Sequence, residues 1–290
     1  MPGFVKTDEE LERIAAVLNP WRYVMDEIGC EFETTWEFAR WVLPPCFEPL
    51  GNEEENRADA YVGILELDCP HFGPFDGDHI AIPCRFGDTE GSYLIHSVHS
   101  TDGHVHSGRD IWGGPKKLGT GRVFHDGDHH FAYSERLGRR LVEIEVELTG
   151  PELAPHTSAS KSFGLKMFPS ATGRGLEYPP LLNIWDGQEN AISLREGIGK
   201  LCWGHSEYDP VETIPIVSVG TARATRAEFF YNGLTQVQVE DPDNIYARYY
   251  WGTYMDDPTF ERVPSRWRDE LEVNGNAYGL LGAVPESISR

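Results

Sequence analysis

Positive charge is scarce in this sequence. Its 290 residues carry 25 Lys and Arg against 47 Asp and Glu, a formal net charge of -22 at pH 7. Such a surface repels phosphate backbones and anionic headgroups, so neither nucleic acid nor membrane is an expected partner. There is also no uninterrupted run of the ~18 apolar residues that a membrane-spanning helix needs. The N-terminus opens with acids instead of an apolar signal region, which points to a cytoplasmic protein. The five cysteines, Cys30, Cys46, Cys69, Cys84 and Cys202, are odd in number and scattered, with no Cys-x-x-Cys. That distribution argues against a disulfide framework or zinc knuckle and for reduced thiols. Internal repeats and low-complexity segments are absent too.

What is present supports a packed core: 40% of the residues are hydrophobic and 12% aromatic. Thr7 to Leu18 reads as a helix, with Thr7 or Asp8 as its cap, an apolar stripe of Leu11, Ile14, Ala15 and Leu18, and Pro20 as its stop. A second helix is expected over Thr34 to Val42, stopped by Pro44-Pro45. From Tyr61 the period changes to two. Strands are expected at Tyr61–Leu67, Ser92–Val98, Leu141–Leu148, Phe163–Met167, Leu181–Ile184, Val217–Thr221 and Ala227–Tyr231. Arg122–His125 and His129–Tyr133 flank the turn Asp126-Gly127-Asp128 and read as a hairpin. Short strands at this spacing suggest an antiparallel barrel or sandwich.

Against the acidic background, Lys116 and Lys117 stand out. They follow Gly108-Arg109-Asp110-Ile111-Trp112-Gly113-Gly114-Pro115. A lysine in apolar surroundings, or beside a second cation, loses its proton more easily, and a neutral lysine attacks a ketone to form a Schiff base. The ordinary lysine pKa leaves only about one molecule in 2,500 neutral at pH 7, so a working pKa near 7 needs roughly 4–5 kcal/mol of selective destabilisation of the ammonium. In a regular strand adjacent side chains point to opposite faces. Desolvation of Lys116 is therefore expected to outweigh the charge on Lys117.

This segment resembles the active-site segment of acetoacetate decarboxylase and its relatives, whose pattern is Gly-Arg-acid followed by Pro-Lys-Lys-Leu. Further segments are similar to the same family: Val42-Leu43-Pro44-Pro45 with Phe47-Glu48-Pro49, Ala81-Ile82-Pro83 with Gly91-Ser92-Tyr93-Leu94, and Leu165 to Pro169 with Leu182-Asn183. The resemblance runs from about Thr34 to about Val237. It implies an α+β fold, mainly antiparallel β: a cone-shaped closed β-barrel with peripheral helices. Three parts are expected: residues 1–33 as helix and lead-in, 34–239 as the domain resembling the family, and 240–290 as an aromatic extension. That extension is expected to pack on the barrel or on a neighbouring subunit of a homo-oligomer, with a short helix at Trp267–Leu271.

The resemblance implies Lys116 as nucleophile and Lys117 as the perturbing cation. Arg109 and Asp110 either orient the loop or contact substrate. Proton handling needs an acid. The family's glutamate falls at Gly77 in an ungapped match, so Asp76 or Asp78 is the expected substitute, and Glu66 is a further candidate for the pocket. The family's substrate-binding arginine falls at Met25, among Asp26 and Glu27, with only Arg22 near. Acetoacetate itself is therefore not the expected substrate. His96 is expected to line the pocket. His104 and His106, if on one strand face, could bind metal with His96; no metal site is expected, because the lysine motif accounts for the region.

The expected function is a carbon–carbon lyase that decarboxylates a β-keto acid through a Lys116 imine. It needs no cofactor, since the iminium is the electron sink. Two alternatives stay open: an aldolase-dehydratase joining pyruvate to an aldehyde through the same lysine, and a metal-binding or non-catalytic barrel. Release of CO2 separates the first two, and borohydride trapping separates both from the third.

Overall fold

Alternation along long strands builds the protein. The computed structural model describes residues 3–18, 21–70 and 72–256. Helix α1 (Asp8–Leu18) opens the chain. Its first turn is closed reciprocally: Glu10 N–H donates to the Thr7 hydroxyl at 3.2 Å, and Thr7 N–H donates to the Glu10 carboxylate at 2.9 Å. Strand β1 (Trp21–Thr34) leads to α2 (Trp36–Val42), capped by the Thr35 hydroxyl, which accepts from Phe38 N–H. The short segments β2 (Glu48–Pro49) and β3 (Gly51–Asn52) precede β4 (Arg57–Cys69), β5 (Gly73–Phe86) and β6 (Thr89–His99). Helix α3 (Asp102–Ser107) runs directly into a wide π-helical turn at Gly108–Trp112. Then come β7 (Lys116–Leu118), β8 (Thr120–Asp126), β9 (His129–Arg136), β10 (Arg139–Glu152), β11 (His156–Lys166), β12 (Leu181–Trp203) and β13 (Ser218–Gln238). A single turn α4 (Tyr246–Tyr249) continues into a second wide turn, Tyr250–Tyr254.

Seven strands close on themselves. β6, β5, β4, β1, β13 and β12 are successive antiparallel neighbours, and β11 joins β12 on one side and, in parallel, β6 on the other. β10, β9 and β8 continue as a second sheet from the far half of β12. This sheet covers the outer face of the ring, so the apolar core lies between the two. Ile28 and Phe32 of β1, Val62 and Ile64 of β4, and Ile80 and Ile82 of β5 meet Ile144 and Val146 of β10 there. Each such side chain contributes roughly 1.5–3 kcal/mol of transfer free energy. Residues of opposite parity on the same strands face the ring's interior: Tyr23, Met25 and Glu27 of β1, Tyr61 and Leu65 of β4, Phe75, His79 and Ala81 of β5.

One irregularity resets this alternation. On β6, His96 pairs with Ile80 while Leu94 pairs with Ala81, leaving Ile95 as an extra residue. A bulge of this kind shifts every later side chain to the other face. Ser92 and Leu94 face the interior before it, and Ser97 and His99 after it.

Both expected helices form, and the strands form where alternation is clear. Three details differ. Trp21–Thr34 is no lead-in: it is hydrogen-bonded to β4 and β13 along its length, as an integral strand of the ring. Val217–Thr221 and Ala227–Tyr231 belong to one continuous strand, because β1 and β12 both pair with β13 through the intervening Arg223–Arg226. His104 and His106 lie on α3, not on a strand. Of the aromatic extension, Tyr246, Tyr250 and Tyr254 are buried in the core. Pro20, residues 257–290 and the helix expected at Trp267–Leu271 lie outside the described residues. No described helix is long and apolar enough to cross a membrane.

Candidate active site

The ring lines an open-mouthed cavity of about 810 Å³. β7 pairs in parallel with β6, with Lys116 opposite Ser97 and Lys117 opposite Val98. Lys116 follows Ser97 into the cavity, and Lys117 follows Val98 to the core side. The strand geometry therefore separates the two cations as alternation requires.

Lys116 is 7% exposed and lines the cavity. Its ammonium lies 5.2 Å from the centre of the Trp112 ring. Room for its stem comes from Gly108, where an added Cβ would sit 2.2 Å from Lys116 Cδ. Burial pushes Lys116 down to about 7. Lys117 Nζ instead donates to Asp209 Oδ1 at 2.8 Å, and Arg136 holds the other oxygen of that carboxylate at 2.7 Å. Burial alone would raise Asp209, but Lys117, His96 and Arg136 override it and hold the carboxyl below its ordinary range.

The loop carrying the lysines is fixed from three sides. Gly113 adopts a left-handed φ of 78°, and an added Cβ there would lie 2.7 Å from the Leu165 backbone. The Asn183 amide donates to the carbonyls of Ile111 and Trp112 at 2.9 and 3.1 Å. The Tyr254 hydroxyl bonds the carbonyls of Leu165, at 2.9 Å, and Gly113.

The geometry corrects most of the other expected site residues. Arg109 does not reach the cavity: its guanidinium donates to the Tyr250 hydroxyl at 3.0 Å and lies over the Tyr250 and Tyr254 rings. Asp110 is exposed. Asp78 is wholly buried on the core face of β5, where it accepts from Val98 N–H at 2.8 Å. The bulge at Ile95 places His96 on that same face, 3.5 Å from the Asp78 carboxylate. Asp76 accepts from Gly121 N–H and pairs with Arg122 at 2.5 Å, outside the cavity. Glu66 is exposed and borders a separate shallow groove with Asp76 and Arg122. His104 is stacked on Phe75 with ring centres 3.4 Å apart, and His106 is exposed. Burial, then the charge of Lys116, lowers His104 to about 4 and puts His99 well below its ordinary value.

Residues 13–238 match the acetoacetate decarboxylase (ADC) family. The chain belongs to the acetoacetate decarboxylase family. Among curated proteins it resembles acetoacetate decarboxylase 3 of Mesorhizobium japonicum, 31% identical over 112 residues, which cover 38% of this chain and 41% of the relative. The match thus spans about two fifths of that relative's length. Among solved structures it resembles the acetoacetate decarboxylase of Legionella pneumophila, with TM-score 0.66 and 18% identity over 76% of this chain and 87% of that one. It is similar too to the enduracididine biosynthesis enzyme MppR complexed with pyruvate, with TM-score 0.62 and 16% identity over 75% and 90% of the two chains. These likenesses show the acetoacetate decarboxylase fold.

Within that fold the position expected for the family's glutamate cannot carry a side chain here. An added Cβ at Gly77 would lie 1.9 Å from the Val98 carbonyl oxygen. Acidity enters the cavity elsewhere, from residues the sequence did not single out. Glu27 is 4% exposed and accepts a short hydrogen bond from the Tyr61 hydroxyl. Its other oxygen lies 3.8 Å from His79 Nε2. Arg223 donates to Tyr61 at 3.3 Å and lies over its ring. Burial, then Glu27, raises the Tyr61 phenol well above its ordinary range, and Tyr61 and Glu27 keep Arg223 firmly protonated. Glu189 completes the group, raised by burial and by Glu27. Space for this cluster comes from Gly29 and Gly63, directly paired between β1 and β4. An added Cβ at Gly29 would strike the Tyr61 hydroxyl at 1.7 Å, and one at Gly63 would strike Glu27 and His79 at 2.8 Å. Glycines inside alternating strands were the available signal for this close approach.

Proposed function

We propose that this protein is a Schiff-base lyase that acts on a keto acid through Lys116, with decarboxylation of a β-keto acid as its reaction. The observation that carries the reading is a lysine buried in the wall of a cavity and lowered by that burial to about 7. About half of such lysines are neutral at pH 7, and the neutral amine attacks the keto carbon. The resulting iminium accepts the electron pair left by departing CO2. Trp112 and Phe75 line the cavity beside the lysine, and an apolar surrounding favours loss of charge as the carboxylate leaves.

Acetoacetate is not the substrate in this reading. Met25 lines the cavity where the family's arginine is expected, and Arg22 is turned away to Glu228. Arg223, which does line the cavity, is engaged by Tyr61 with Glu27 close by. A cavity of about 810 Å³ also exceeds what a four-carbon acid fills. An aldolase-dehydratase reading has its own support. MppR has been seen complexed with pyruvate and with the condensation product of pyruvate and imidazole 4-carboxaldehyde.

The test is reduction with borohydride in the presence of a panel of 2-oxo and 3-oxo acids, followed by intact mass and peptide mapping. An adduct on Lys116 is expected. An adduct on Lys117 or Lys166 alone, or none with any keto acid, removes the Schiff-base reading. Release of CO2 from the same keto acid, measured without borohydride, separates decarboxylation from aldol chemistry.

A further inference from the structure

We infer that His79, oriented by Glu27, is the acid–base residue that gives and takes the proton at the substrate carbon beside the Lys116 imine. The inference rests on the Schiff-base reading above.

Enamine chemistry needs one proton donor inside the cavity. Asp76, Asp78 and Glu66 all lie outside it, and Gly77 has no space for a side chain. Among the groups that do line it, Glu31 and Asp59 sit at the exposed rim. Glu33 is taken up by Arg57 and Ser218. His99 is kept unprotonated by burial and by Lys116. His79 remains.

Its placement fits the task. His79 pairs with Ser97, and Ser97 pairs with Lys116, so the three form one row across β5, β6 and β7. Two strand spacings separate the Cα atoms of His79 and Lys116, about 9–10 Å. Both side chains line the cavity, so a keto acid bound to Lys116 lies on the same side of the sheet as His79. Nε2 of His79 lies 3.8 Å from Glu27 Oε2, within reach of charge pairing when the imidazole is protonated. Glu27 is itself held by Tyr61, which Arg223 holds in turn. The carboxylate is thus a fixed positioning group, and Gly63 provides the space in which it meets the imidazole. His79 is half-buried, so it exchanges protons with water between turnovers.

The proton balance closes. Loss of CO2 breaks the carbon–carbon bond, and its electron pair moves into the iminium to leave a neutral enamine. The enamine carbon forms a C–H bond with the proton of the His79 imidazolium, and the C=N double bond re-forms as an iminium. Water adds to that iminium, the C–N bond breaks, and the ketone leaves with Lys116 neutral. The proton released from that water returns to His79. The single proton consumed overall enters from solvent when the first imine forms.

The test uses the full-length protein with pyruvate and acetone as probes, in D2O. Exchange of methyl hydrogens for deuterium, followed by NMR, reports proton transfer at carbon. Borohydride trapping, run in parallel, reports imine formation alone. In His79→Gln and His79→Asn, trapping on Lys116 is expected within about twofold of the wild type while exchange falls at least about 100-fold. In His79→Ala, free imidazole should restore part of the exchange. Glu27→Gln should slow exchange with trapping unchanged. Exchange within threefold of the wild type in both His79 variants overturns the inference, as does a parallel fall in trapping with no imidazole rescue. Absence of any trapping in the wild type overturns the Schiff-base reading, and this inference with it.

Discussion

Lys116 and Lys117 leave one short strand in opposite directions, the first into the cavity and the second onto Asp209 at 2.8 Å. The ammonium that the sequence places next to Lys116 is therefore ion-paired on the other side of the strand. What lowers Lys116 is its removal from water.

The first prediction concerns that division. Lys117→Met should change the pKa of Lys116, read from the pH dependence of imine formation, by less than about 1 unit, because desolvation is untouched. A direct repulsion of roughly 4 kcal/mol would instead give a rise of about 3 units. The same variant should lower thermal stability by about 3 kcal/mol, since Asp209 keeps Arg136 but loses one buried partner. Lys117→Arg should restore part of it.

Imine formation should rise with pH. With Lys116 at about 7, its neutral fraction grows roughly tenfold between pH 6 and pH 8. Rates of borohydride trapping at saturating keto acid, measured across that window, check it; a flat profile contradicts the assignment of Lys116.

The same shift predicts a stability effect. In the unfolded chain Lys116 keeps its ordinary value, so between about 7 and about 10.4 the unfolded state binds more protons, and stability rises with pH. The penalty is complete below pH 7 and gone above pH 10.4. Lys116→Met should therefore abolish trapping yet unfold at higher denaturant than the wild type at pH 6, by up to about 4 kcal/mol, with the difference shrinking at pH 9–10.

Gly108→Ala should be harmful out of proportion to its size. The new methyl would sit 2.2 Å from Lys116 Cδ, so the lysine must leave its slot over Trp112. Trapping should fall at least tenfold. Gly103→Ala on α3, whose methyl would meet Phe72 at 3.7 Å, is the control. It should leave trapping unchanged and stabilise the helix by about 0.5–1 kcal/mol.

Tyr254→Phe leaves the Gly113 and Leu165 carbonyls without the hydroxyl that bridges them. A loss of about 1–3 kcal/mol is expected in chemical denaturation, with slower trapping because the loop before Lys116 is loosened.

Much of the barrel was legible because it depends on local alternation. Val142, Ile144 and Val146 against Glu143, Glu145 and Glu147 can be read as one buried and one wetter face, and β10 has that pattern. Lys116 was legible for the same reason, through its motif and the opposite throw of its neighbour. β1 was not. Trp21 to Thr34 places Asp26 and Glu27 side by side, so no polar face declares itself until β4 and β13 fix which acid turns inward. Arg223, distant in sequence from Glu27 and Tyr61, meets them only through cross-strand pairing. Asp78 and His96 failed as cavity residues because of strand phase, which their chemistry does not reveal. Arg109 failed because its aromatic partners lie 141 residues or more further along the chain.

At Ile95, β6 can lose a residue without changing which side chains face the cavity. Deleting Ile95 would leave Leu94, Ser97 and His99 facing the cavity and His96 and Val98 on the core side, because the residue removed is the one without a partner on β5. The row from His79 through Ser97 to Lys116 would survive that loss. Any comparison of this strand with a relative that lacks the insertion must therefore carry a one-residue gap at Ile95. Without it, buried core side chains would be read as substrate contacts from that point to the lysines.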